Sequence, residues 1–152
     1  MTQPYLSLLQ ADSYFAARSV SSWAEADAEE RSAALLRASD WLDQLFLWAG
    51  QPASPDQARA FPRLGLADAG PDSERASTPQ PVLDAVCDLA LALLEGEREA
   101  EQLLGIGPQV RREQVGAIQI SYDAAARRGA GRLTRQLARY LAGPSQTRIT
   151  RS

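Results

Sequence analysis

The chain has 152 residues, 45% of them apolar, which suits one domain with a modest core. All 19 acidic residues fall within residues 1–126 beside nine arginines, while the last 26 positions carry seven arginines and no acid, so a net charge of −3 conceals −10 followed by +7. Histidine is absent, which removes the commonest general base and metal ligand, and the single Cys87 excludes an internal disulfide.

Ser7 is placed to cap a short first helix through Arg18, with Leu8, Leu9, Tyr14 and Phe15 on its apolar side. Ser21-Ser22-Trp23 reads as a brief second turn. Asp27 and Glu30 stand at capping-box spacing, and the helix they start is expected to run to about Trp48. Ala34, Ala38, Trp41, Leu42, Leu45 and Phe46 recur along it every three or four residues and form one face. Residues 49–80 are rich in proline and glycine and read as a long loop, docked through Phe61, with 67–77 exposed and mobile.

Thr78-Pro79 has the cap-plus-first-turn form that begins a helix, here expected to reach Gly96. Val86, Leu89 and Leu93 lie within an apolar run on more than one face, so this helix is expected at the centre. The acidic run Glu95, Glu97, Glu99 and Glu101 is expected to be exposed. Residues 110–122 change to period two, and Val115-Gly116-Ala117 between alternating residues predicts a β-hairpin with Ile118, Ile120 and Tyr122 on its second strand. A last helix over about 129–142 carries Leu133, Leu137 and Leu141 on one face and Arg132, Arg135 and Arg139 on others. Gly143-Pro144 ends it.

The expected fold is therefore mainly α (α+β): a small helical bundle with one hairpin and a long Pro-rich loop over 1–142, followed by an extended basic tail, 143–152. The expected core is Tyr14, Phe15, Trp41, Leu42, Leu45, Val86, Leu89 and Leu93. The N-terminus lacks the basic and apolar regions of a signal peptide, and no apolar stretch approaches a membrane span, so a soluble protein of a reducing compartment is expected.

The chemistry of the chain is spare. Ser-His-Asp and Cys-His arrangements are impossible, no glycine-rich phosphate loop exists, and exposed carboxylates lack the burial that tunes an acid or base. An enzyme is not expected, nor a cofactor or metal. Trp23, Trp41, Trp48, Tyr122 and Tyr140 are candidate stacking aromatics for a nucleic acid, although Trp41 has core spacing and the acidic body repels phosphate. A basic helix and tail beside an acidic body also fit a protein partner, a second copy of the chain, or plain solvation.

Five segments in order resemble one family: Ala11-Asp12-Ser13-Tyr14-Phe15, Ala34-Leu35 to Leu42-Asp43, Phe61-Pro62-Arg63-Leu64-Gly65, Pro81-Val82 to Leu89-Ala90, and Glu113-Gln114-Val115-Gly116-Ala117-Ile118 to Tyr122. The third is similar to that family's W-P-R-x-G turn with Phe61 for Trp, and the fifth to its E-K-V-G-D-I-S-V-x-Y hairpin with Gln114 and Ala117 as departures. The family is that of the head–tail connector (adaptor) proteins of tailed bacteriophages, some of which are labelled DnaT-like single-stranded DNA-binding.

The resemblance implies a virion protein of the neck, a homo-oligomeric ring of twelve copies beneath the portal protein. Such a ring continues the channel for genomic double-stranded DNA and presents a site for a tail terminator, completion or stopper protein. On that reading Arg127, Arg128, Arg132, Arg135, Arg139, Arg148 and Arg151 meet the portal, and Val115, Ile118, Ile120 and Tyr122 build the contact between subunits.

Overall fold

The computed structural model describes residues 2–66, 77–105 and 131–142. Ser7 caps α1 (Leu8–Ala17) in a complete capping box: its hydroxyl accepts from Gln10 N–H, and the Gln10 side chain accepts from Ser7 N–H. A single turn, α2 (Ser21–Glu25), buries Trp23 against Phe15, with ring centroids 4.6 Å apart. Asp27 caps α3 (Ala28–Leu45), accepting from Glu30 N–H at 2.8 Å. The α3 face Ala34, Leu35, Ala38, Trp41, Leu42 and Leu45 is buried, as its spacing predicts.

The α3 helix ends at Leu45, three residues before the expected stop at Trp48. Phe46 turns extended (ψ 141°), and both Phe46 and Trp48 can then enter the core. A helix continued to 48 would swing one of those two rings outward. The extended chain forms two small antiparallel ladders. Trp48 bridges Leu141, with Ala49 N–H donating to Tyr140 O and Ala142 N–H to Leu47 O. Beyond it, β1 (Gln51–Pro52) pairs with β2 (Arg63–Leu64). The expected loop therefore holds a two-stranded hairpin of its own, closed where Gly50 (φ 72°) passes so near the Leu64 carbonyl that a Cβ would collide with it. Phe61 is buried, as expected, edge-on to Trp48 at 4.7 Å. The Phe61–Pro62 peptide is cis.

The central helix α4 runs Gln80–Glu95, and its N-cap is Pro79 rather than Thr78: the Pro79 carbonyl accepts from both Val82 and Leu83 N–H. Val82, Val86, Leu89 and Leu93 are buried on it, as is Cys87. At Gly96 (φ 152°) the chain turns directly into α5 (Glu97–Leu104). Glu101 departs from expectation. It is only 4% exposed, because the face of α5 carrying Ala100 and Leu104 packs against α4 and the helix Arg132–Gln136.

The last segment is a short α6 (Arg132–Gln136) continued as a 3-10 turn (Ala138–Tyr140), not one helix to 142. Leu141 must leave the helix to bridge Trp48. Leu133, Leu137 and Leu141 are buried together with Tyr140, as their spacing predicts. Of the expected core, only Tyr14 stays half-exposed, since its hydroxyl reaches out to Asp88. Among the described residues the fold is thus mainly helical with one two-stranded hairpin. The hairpin expected at 110–122, most of the segment expected to be mobile (67–76), and the tail 143–152 lie outside the described residues.

Candidate interaction surface

Three groups of polar contacts position the surface. On one side Asp12 ties α1, α2 and α3 together: one carboxylate oxygen accepts from Trp23 Nε1 and from Arg31 Nη1, each at 2.7 Å. On another, residues 57–63 and the N-terminal segment clamp onto α3. Arg59 Nη1 reaches Asp40 and Asp43 at 2.8 and 3.0 Å, and its Nε donates to Gln3 O. Burial opposes the Arg59 charge, but the two carboxylates outweigh it and hold its pKa above the ordinary value. Tyr5 donates its hydroxyl to Asp43 and accepts from Phe61 N–H. Burial first, then Asp43, raises its pKa. Arg63 fills the turn itself, donating to Ala49 O, Gly50 O and Ala60 O at 2.7, 3.0 and 3.1 Å.

The third group lies where α1, α4 and α6 meet. Arg18 stacks on the Tyr14 ring, 3.6 Å from its centroid, and Tyr14 donates to Asp88 Oδ1 at 2.8 Å. The other oxygen of Asp88 faces Arg132 at 3.5 Å. This node was not anticipated from the sequence: it joins three segments up to 118 positions apart, and of its members Tyr14 carried a signal only as an apolar residue and Arg132 only as a basic one.

Arg132, Arg135 and Arg139 are all exposed and follow one another along α6 and the 3-10 turn. Arg127, Arg128, Arg148 and Arg151, like Val115, Ile118, Ile120 and Tyr122, lie outside the described residues. The candidate stacking aromatics are otherwise accounted for as core. Trp23, Trp41, Trp48 and Tyr140 are each at most 9% exposed.

Among the described residues, no cluster of three or more His, Cys, Asp or Glu could hold a metal, and no helix is long and apolar enough to cross a membrane. The described geometry is that of a mainly helical domain with charged residues on its surface. The profile of the family described as "Putative DnaT-like ssDNA binding protein" matches residues 2–152, so the chain belongs to that DnaT-like family. Comparison with curated proteins and with solved structures gave no match.

Proposed function

We propose that the chain is a structural virion protein, a head-to-tail connector. It forms a ring under the portal protein, continues the DNA channel, and offers the attachment site for a tail terminator or stopper. The observation that carries this reading is the pairing of exposed arginines with buried aromatics. Binding of single-stranded nucleic acid combines basic grooves with aromatic faces on which bases stack. Among the described residues no arginine has an exposed aromatic beside it: the Tyr140 ring next to Arg139 is buried, the half-buried Tyr14 ring is covered by Arg18, and the Tyr5 ring next to Arg59 is half-buried against Phe61. Such a surface suits carboxylates of a protein partner, and an acidic body beside passing DNA repels rather than holds it. The connector-like order of the five sequence segments supports the same reading.

The test is a truncation ending at Ala142. Ala142 closes the ladder to Leu47 and Leu141 is buried, so the shortened chain keeps its described contacts. It is expected to retain its helical circular dichroism and to fail to join portal-containing particles. Normal attachment defeats the docking assignment. The words of the family description name a second reading, a single-stranded DNA-binding module. That reading requires oligonucleotide retardation at low salt, weakening steeply as salt rises; no retardation at low salt removes it.

A further inference from the structure

Among the described residues, part of the charge split along the sequence is also a separation in space, although Asp84 and Asp88 lie along α4 beside the arginines. Helices α3 and α4 run antiparallel. The end where α3 stops and α4 starts is marked by Ala49 N–H to Tyr140 O, and by Gln136 Nε2 to Pro81 O. Here α6 descends along α4: Arg132 stands opposite Asp88 at mid-helix, and Arg135 and Arg139 lie beyond it toward the first turn. All three are exposed, and the side chain of Arg132 is 61% so. At the opposite end α3 begins and α4 passes into α5. The start of α3 carries exposed Asp27, Glu29 and Glu30, and the passage from α4 into α5 carries exposed Glu95, Glu97 and Glu99. Their basic neighbours are Arg31, already bound to Asp12, then Arg37, which bridges Glu97 at 3.3 Å, and Arg98. The two ends are separated by the length of α4, roughly 24 Å at 1.5 Å per residue.

We infer that the arginine edge Arg132-Arg135-Arg139 docks on the acidic end of a second copy of this chain. One copy thus presents two different, complementary surfaces. A contact of that kind is head-to-tail, and it closes into a ring or runs on as a filament according to the rotation between copies. A self-matching two-fold dimer through either end sets like charges against each other and is disfavoured. The inference rests on the ring part of the connector reading and gives that part its surfaces, with α6 used between copies and the chain beyond residue 142 left for the portal.

The experiment is a charge swap read by sedimentation equilibrium in about 20 mM and about 500 mM salt, where screening lengths are about 20 and 4 Å. One variant carries Arg132→Glu, Arg135→Glu and Arg139→Glu; the other carries Glu29→Arg, Glu30→Arg and Glu99→Arg. All six positions are exposed, and circular dichroism verifies the fold of each. Wild type is expected to associate in low salt and dissociate in high salt. Each variant alone, with both ends now of one sign, is expected to be at least tenfold weaker. Mixing the two variants restores association, because every contact again joins opposite signs.

Wild type that stays monomeric in low salt overturns the inference, as do single variants that associate like wild type or a mixture that stays monomeric. The connector reading fails separately, by a chain that associates as described yet is absent from particle necks.

Discussion

Arg63 offers the sharpest test of how the turn at residues 60–65 holds the fold. Its guanidinium donates to three carbonyls from two chain segments, Ala49 and Gly50 on one side and Ala60 on the other. A hydrogen bond from a charged donor contributes about 1.5–3 kcal/mol. Three do not add at full value here. Gly50 is exposed, so water replaces that bond, and burial already opposes the Arg63 charge, lowering its pKa. The Ala49 carbonyl belongs to a buried residue and stays unsatisfied. Arg63→Ala is therefore expected to cost about 2–4 kcal/mol, a large part of the roughly 5–15 kcal/mol that stabilises a domain.

With a urea slope of about 2 kcal/mol/M, the midpoint falls by about 1–2 M, read from the fluorescence of three buried tryptophans. Hydrogen exchange supplies the local readout. Ala49 and Ala142 amides, which pair residues 47–49 with 140–142, lose protection before the amides of α4. Arg63→Lys recovers less than half of the loss, because one ammonium cannot fork to three carbonyls. A loss below about 0.5 kcal/mol for the alanine variant, or full recovery by lysine, refutes the reasoning.

Phe61→Ala removes a ring enclosed by Trp48 and Tyr5 and is expected to cost about 3–5 kcal/mol by the same denaturation; a cost under 1.5 kcal/mol shows that the turn is not docked as described. Tyr5 and Tyr14 have their hydroxyl pKa values raised, by burial first and then by Asp43 and Asp88. The unfolded chain therefore loses these protons first, so stability is level up to about pH 10 and falls above it. Tyr5→Phe with Tyr14→Phe flattens that fall, and an unchanged slope between pH 9 and 11 counts against the two carboxylate contacts. Burial pushes the Cys87 thiol up to about 12. A thiol reagent at pH 8 is expected to label native protein only as fast as it unfolds, and prompt labelling of one thiol per chain contradicts the burial of α4.

What could be read in advance follows the range of the physics involved. Caps at Ser7 and Asp27, the α3 stripe and the Leu133–Leu137–Leu141 face are local, since each depends on residues within one or two turns. The docking of Phe61 was legible because an aromatic amid proline and glycine has few reasons to exist except burial. The end of α3 was not, because α-helical periodicity continues through Trp48. Only the competing demand of two rings, Phe46 and Trp48, and a distant partner strand at 140–142 stops it. Glu101 was misplaced for a related reason: in an acidic run every second residue looks solvated, and only the packing of α5 between α4 and α6 decides which one is covered. The Arg18–Tyr14–Asp88–Arg132 node needs three helices to exist at all.

The acidic end has a simpler origin that must be weighed against docking. Carboxylates favour the first turn of a helix, where the backbone carries about half a positive charge. Both α3 and α5 begin at that end, with Glu29 and Glu30 in one first turn and Glu97 and Glu99 in the other. Two helix starts supply about one unit of positive charge, whereas these four carboxylates carry about four. Arg37 offsets one more through Glu97. Arg98, in the first turn of α5, offsets another, so about one unit remains at those first turns before Asp27 and Glu95 are added. At the other end α6 is only five residues long, and its arginines exceed what the dipole of so short a helix can use. Helix electrostatics alone therefore leaves an excess of opposite sign at each end of α4, and it predicts no rescue when the two charge-swapped variants are mixed.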